Sequence, residues 1–268
     1  MLYKTQRWME DEEIKQTFSA SYWNDKDVES RKIWFVPDNN FEKLEKGFAQ
    51  KKLLGQFELI AEDNNIEFWD TLGASLASGI CVLESHILRE YRAIKKLYCV
   101  EFSRHRIVDM APKILAHYEI EEERAELCLG SFYDLRFEKN RFDFMILCQA
   151  FHHASDVKKL LSEIKRVLKP SGAVFIIGEH YFNATAIAKR TLKYMAKWVL
   201  NYKGQRGKSF FLPTWNTLFP VDNVKGDHHY SRDEYKRMFN EAGFDFRRYI
   251  FKDVNNQGFI LKLKSEQP

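Results

Sequence analysis

The sequence predicts an α/β protein built on a doubly wound, mostly parallel sheet, and three adjacent stretches carry that prediction. The run Phe142–Cys148, FDFMILC, is apolar apart from Asp143 and has no helical stripe, which suits a strand buried on both faces. From Ser155 the spacing changes, because Val157, Leu160, Leu161, Ile164, Val167 and Leu168 recur at three and four residues. Ser155 or Asp156 stands where the first turn needs a cap, and Lys169, Pro170 and Gly172 stop the helix. Residues 173–178 then return as a second apolar, β-branched run. A strand–helix–strand unit of this kind crosses over right-handed and puts its functional loops at the carboxyl ends of its strands.

The flanking segments follow in chain order. Residues 1–60 read as mostly helical and rich in aromatics, among them Trp8, Phe18, Tyr22, Trp23, Trp34, Phe35, Phe41 and Phe48, with a break at residues 37–40. Tyr22, Trp23 and Trp34 have two readings, a substrate-facing surface or plain packing against the sheet. Residues 181–230 are too long for an ordinary connection and read as a lid or binding insertion. Within them residues 183–208 hold seven Lys/Arg and no Asp/Glu, and Ala186, Leu192, Met195, Trp198 and Val199 form a possible apolar stripe. A packed lid, an anionic membrane or lipid-linked substrate, and a clamp for substrate phosphate all remain open for that helix. Ser231-Arg232-Asp233-Glu234 is a capping box opening a helix that ends at Gly243, and residues 246–252 and 258–264 read as two closing antiparallel strands.

Composition narrows the function class. With 45% hydrophobic and 15% aromatic residues, 268 residues bury one full core and need no second domain. The expected division is a cap over 1–60, a core over 61–180, the insertion over 181–230 and a closing helix and strands over 231–268. A net charge of +4 from 42 basic and 38 acidic side chains is too mild to imply nucleic acid. The first fifteen residues lack a signal-peptide core, and no apolar run is long enough to span a bilayer, so a cytoplasmic location is expected. Cys81, Cys99, Cys128 and Cys148 form no CxxC pair and fall in or beside core segments, so they read as structural thiols, and no metal is expected. Cys81 and Cys148, at the carboxyl sides of strands, are also candidates to line a cofactor pocket.

Motifs in the core resemble the class I S-adenosylmethionine-dependent methyltransferases, especially those acting on small molecules. Gly130-Ser131, Leu135-Arg136-Phe137, Phe142-Asp143, Phe151-His152-His153 and residues 166–172, RVLKPSG, occur in that family's order and spacing. The resemblance implies a seven-stranded sheet with one antiparallel strand, and S-adenosylmethionine as cofactor. It also aligns residues 75–81, SLASGIC, with the end of a first strand and a small-residue turn. A helix through about Tyr91 and a second strand ending at Glu101 would follow. In that alignment Ala77, Ser78 and Gly79 let the backbone approach the cofactor's methionine portion, and Glu101 accepts from the ribose hydroxyls. Phe102, Ser131, Phe132, Cys148, Gln149 and His153 complete the implied cofactor site.

Four positions depart from the family pattern: Ser75 replaces an acid, Ala77 and Cys81 replace glycines, and Ser131 replaces an aspartate. Alanine suits position 77 if its φ is negative there. Asp134 either substitutes for the missing aspartate or stabilises its loop. The Gly-Asp-His-His-Tyr stretch, residues 226–230, resembles a pattern in methyltransferases of sugars and other polar metabolites. It nominates His228 and His229, with His152, as catalytic groups; His180 is a further candidate and Glu179 an orienter. The function expected is methyl transfer to oxygen or nitrogen of a small polar acceptor, sugars and lipid-linked glycans included. The alternative is a methyltransferase-like binding or scaffold protein that has lost catalysis.

Overall fold

The structure, a computed structural model, describes residues 3–9, 41–200, 212–222 and 226–265. Phe18, Tyr22, Trp23, Trp34, Phe35 and residues 201–208, all named above, lie outside the described residues.

Eight strands form one sheet in the order β1-β4-β3-β2-β5-β6-β8-β7. They are β1 (Thr5–Arg7), β2 (Thr71–Leu76), β3 (Ile94–Glu101), β4 (Ala125–Leu129), β5 (Phe142–Cys148), β6 (Leu168–His180), β7 (Phe244–Phe251) and β8 (Asn256–Leu263). The first six run parallel, and β8 is antiparallel to both β6 and β7. The strand order reverses at β2, the switch point where such sheets bind ligands. One face carries α1 (Phe41–Lys51), α2 (Leu53–Asp63), α3 (Val82–Glu90) and α4 (Ala111–His117). There Phe57, Ile60, Ile87 and Leu115 pack on Leu97, Cys99, Leu127, Phe144 and Phe175. The other face carries α5 (Val157–Val167) and α8 (Arg232–Glu241), whose Leu160, Ile164, Tyr235 and Phe239 meet Leu76, Val100, Met145, Leu147 and Ile176. Alternate residues of each central strand thus feed two cores, as a period of two requires.

Local signals match this architecture. Asp156 caps α5 by accepting from the Lys159 N–H, and Ser231 and Glu234 form the reciprocal capping box of α8. Gly243, at φ 84, then turns the chain into β7.

Three expectations are corrected. Among the described residues the sheet has eight strands rather than seven, the added one lying in the segment expected to be mostly helical. Thr5–Arg7 pairs with Leu127–Leu129, and the Trp8 indole, 5% exposed, packs where a Cβ on Gly130 would lie. An otherwise bare edge of β4 is thereby covered. Second, the chain re-enters the sheet at Leu168, directly after α5, instead of at residue 173. The β5–β6 register breaks between Phe142, opposite Leu168, and Phe144, opposite Ala173, so Pro170 sits in the break with no ladder partner. Third, the insertion does form a helix, α6 (Ala184–Leu200), but the expected apolar stripe is split, with Ala186 and Trp198 on the half-buried side. Ile187, Thr191, Tyr194 and Trp198 are half-buried, whereas Leu192, Met195, Val199 and Leu200 are exposed. Among the described residues, no helix is long and apolar enough to cross a membrane.

Candidate active site

The turn leaving β2 is built from left-handed backbone. Ala77 at φ 54, Gly79 at φ 59 and Cys81 at φ 63 alternate with ordinary residues. The condition under which alanine suits position 77 is therefore not met: the turn keeps a shape that favours glycine while two of its three special positions carry side chains. Hydrogen bonds hold it there. The Ser78 N–H donates to the Val100 carbonyl at 3.1 Å and the Cys81 N–H to the Ser78 carbonyl at 3.0 Å. The Gly79 N–H donates to Glu101 Oε2 at 2.9 Å, and the Ser103 N–H to Glu101 Oε1 at 2.9 Å. Glu101, at the end of β3, is thus a buried carboxylate locked by two backbone donors, with lone pairs left for further hydroxyl groups. A Cβ at Gly79 would meet only Arg106 Nη1, at 3.7 Å, so space lies open beside the turn.

The acid absent at Ser75 is supplied from the next helix. The Ser75 hydroxyl donates to Glu84 Oε1, and Glu84 is 2% exposed. Burial pushes the Glu84 carboxyl up to about 7, the Ser75 hydrogen bond opposing that rise. Nothing in residue spacing flags Glu84, which reads as an ordinary helix glutamate.

After β4, Ser131 Oγ accepts from the Tyr133 N–H at 3.1 Å, and the Phe132 and Tyr133 rings meet edge to face with centroids 4.6 Å apart. Asp134 is exposed and faces Arg136 at 3.5 Å, which favours its loop-stabilising reading. Phe102 is half-buried just beyond Glu101. Cys148 ends β5, and Gln149, at φ 51, donates its N–H to the Ile177 carbonyl at 2.8 Å. Burial pushes the Cys81, Cys128 and Cys148 thiols up, and Cys99 is raised first by its hydrogen bond with Cys81 and then by burial. Lys51, from the end of α1, donates to Gln149 Oε1 at 2.8 Å, and burial pushes its ammonium down to about 8. Sequence reading passed over Lys51 because its helix precedes every motif.

The histidines converge beyond β5 and β6. His152 and His153 lie in the short helical turn Phe151–His153, His180 ends β6, and His228 and His229 arrive with the strap ahead of α8. Ring centroids are 4.3 Å apart for His152–His153, 4.6 Å for His152–His180 and 5.2 Å for His180–His229. The strap is tied down by the His228 N–H, which donates to the His152 carbonyl at 2.7 Å. Glu179, fully buried, anchors the group: its carboxylate lies 3.1 Å from His152 Nδ1 through both oxygens. It also accepts from the Tyr235 hydroxyl at 2.9 Å and the Phe151 N–H at 3.2 Å.

These contacts set the charges. Burial would depress His152, but the attraction of Glu179 and their hydrogen bond outweigh it, so its pKa lies above the usual value. Burial would raise Glu179, and the same pairing, with the Tyr235 hydrogen bond, instead holds it low. Burial and repulsion from His152 push His180 down to about 4, and burial also lowers His228 and His229. Asp227 lies 3.1 Å from His153 Nδ1; despite burial, that contact and the nearby histidines hold it near 2. An aromatic cover of Phe182, Trp215 and Phe219 closes over His229, with Arg190 4.3 Å above the Phe219 ring. The structure therefore gathers His152, His180 and His229, while His228 stacks outward on Tyr230.

Sheet order, switch-point turn and acidic strand end define the class I methyltransferase fold. Residues 85–176 match the family model described as a methyltransferase domain. Over 53 residues the chain is 40% identical to the glycine/sarcosine/dimethylglycine N-methyltransferase of Actinopolyspora halophila, covering 20% of this chain and 9% of that protein. It is 27% identical over 122 residues to the demethylmenaquinone methyltransferase of Staphylococcus saprophyticus, covering 44% of this chain and 48% of that one. The chain thus spans less than half the length of these curated relatives. Among solved structures, the magnesium protoporphyrin IX methyltransferase of Synechocystis, with bound SAH, superposes with a TM-score of 0.61 at 11% identity, over 95% of this chain and all (100%) of that one. An S-adenosylmethionine-dependent methyltransferase from Aquifex aeolicus superposes with a TM-score of 0.56 at 16% identity, over 85% of this chain and 98% of that one. Residues 85–176 thus match a methyltransferase domain within a sheet of the class I methyltransferase fold, and the cofactor that this likeness implies is S-adenosylmethionine. The site suits that cofactor: the left-handed turn leaves open space at Gly79, and Glu101 is fixed at the neighbouring strand end.

Proposed function

We propose that the protein transfers a methyl group from S-adenosylmethionine to oxygen or nitrogen of a small polar acceptor, with sugars and lipid-linked glycans as the leading classes. The observation that carries this reading is the buried Glu179–His152 pair, standing with His180 and His229 under the aromatic cover. The cofactor's sulfonium supplies an activated methyl group. What remains for the protein is to align the acceptor, exclude water and receive a proton.

Division of labour follows from position. Ala77, Ser78, Gly79, Glu101 and Phe102 would hold the cofactor from β2 and β3, Ser131 and Phe132 from the loop after β4, and Cys148, Gln149 and His153 from β5. His180 and His229, kept neutral by burial, are suited to take a proton from the acceptor. His152, held by Glu179 through Nδ1, orients that group of rings. Retention of the left-handed turn at Ala77 and Cys81 speaks for a working cofactor site over a degenerate scaffold.

Calorimetric titration with S-adenosylhomocysteine tests the first half, and turnover on a panel of amino sugars and hydroxylated sugars tests the second. Glu101→Ala is expected to weaken cofactor binding at least tenfold, whereas His229→Gln is expected to leave it intact and lower turnover by roughly 10²–10⁴. Unaltered cofactor affinity in Glu101→Ala would remove the ribose assignment. Absence of any binding to wild type would favour the scaffold alternative.

A further inference from the structure

We propose that His152, His180 and Asp227 form a binding site for one divalent transition-metal ion of the zinc type. One ligand atom from each residue falls within a set whose members all lie within 4.8 Å of one another. The three come from separate pieces of chain: the turn after β5, the end of β6, and the strap that follows the insertion. Folding must be complete before they meet.

Two further observations point toward an ion. Glu179 takes up His152 Nδ1 through both carboxylate oxygens at 3.1 Å, which assigns the proton to Nδ1 and turns Nε2 outward as a lone pair. A carboxylate behind an imidazole is the usual arrangement that orients a metal-binding histidine, and here that carboxylate is itself fixed by the Tyr235 hydroxyl and the Phe151 N–H. Second, His180 Nε2 is shielded from solvent and has no hydrogen-bond partner among the described residues. A neutral imidazole nitrogen so placed is an unused ligand.

Two imidazoles and one carboxylate make a borderline-soft set of three protein ligands, as in zinc sites that keep a position open. Bonds of about 2.1 Å bring tetrahedral ligands to roughly 3.4 Å from one another, so loading must draw the set together. With His180 coordinated, His229 is left to take the acceptor's proton, and the open position would take a ligand oxygen. This site stands on its own geometry and does not require methyl transfer.

The test uses the whole chain, stripped with chelator and titrated with Zn²⁺ by calorimetry and with Co²⁺ by visible absorption. One equivalent of each is expected, with a Co²⁺ ligand-field spectrum indicating nitrogen and oxygen donors. His180→Gln and Asp227→Asn should each weaken binding at least tenfold, and Glu179→Gln by roughly 10- to 100-fold. His117→Ala, on the exposed end of α4, should leave it unchanged. S-adenosylhomocysteine affinity and circular dichroism, measured on every variant, separate loss of the ion from loss of the fold and from failure of the methyltransferase reading. Stripped wild type that takes up no stoichiometric ion overturns the proposal by itself. So does equal binding by folded His180→Gln and Asp227→Asn proteins.

Discussion

Ala77 and Glu84 each carry a cost at the turn leaving β2. Ala77 sits at φ 54, where a Cβ crowds its own backbone at a cost of about 1–2 kcal/mol. Ala77→Gly is therefore expected to raise stability by about 1 kcal/mol in denaturant melts, after allowing for glycine's greater unfolded-state freedom. A lower midpoint would show that the Ala77 methyl, which packs against the α5–α8 core, matters more than the strain. Glu84 carries a pH signature. Its folded carboxyl titrates at about 7 against an ordinary 4.5, so the folded state favours the protonated form. That stability is present at low pH and is lost as pH rises from the ordinary value through 7. Glu84→Gln should accordingly stabilise the protein by about 2 kcal/mol at pH 8 and by much less toward pH 5, a contrast that thermal melts at the two pH values will read. An equal effect at both would mean that Glu84 is not a buried acid.

At the scale of elements, β1 is short yet well anchored. Trp8 donates its indole N–H to Gln6 Oε1 at 2.9 Å, meets Phe137 edge to face, and lies over Gly130. A Cβ on Gly130 would come within 2.4 Å of Trp8 Cε3. Gly130→Ala should therefore cost about 1–3 kcal/mol, and a Trp8→Leu background should absorb much of that penalty, measurable as non-additivity in a double-mutant cycle. Simple additivity would mean that the clash relaxes elsewhere. This element also marks the limit of what was legible in the sequence. The β5–α5–β6 unit was readable because an apolar run, a helical stripe and a cap all agree on one chain stretch. The capping box of α8 was readable for the same local reason. Thr5–Arg7 was not, because three residues carry no periodicity and their pairing partner lies some 120 residues away. The histidine site was half legible: its residue types and Glu179 as an orienter stood out, but the pairing of Glu179 with His152, the Lys51–Gln149 contact and the Ser75–Glu84 pair are tertiary facts with no local pattern.

Seen whole, the molecule sets its parallel core and candidate site beneath a cover whose outer surface differs from the rest. On α6, exposed Leu192, Met195 and Val199 form a ridge, and Lys189, Lys193 and Lys197 run beside it at four-residue spacing. We propose that this surface meets an anionic lipid bilayer, with lysines at the headgroups and the ridge in the acyl boundary. Co-sedimentation with phosphatidylserine-containing vesicles should exceed that with phosphatidylcholine alone, weaken with salt, and fall in a Lys189→Glu/Lys193→Glu/Lys197→Glu protein. Equal recovery from both vesicle types would remove the electrostatic part, and no recovery from either would remove the whole. The connection between this cover and the site has a mechanical result. Only Tyr181, Phe182 and Asn183 separate His180 from the start of α6, while Glu179 beside it is immobilised by His152 and Tyr235. With Glu179 clamped, a displacement of α6 would reach the His180 ring through three residues only.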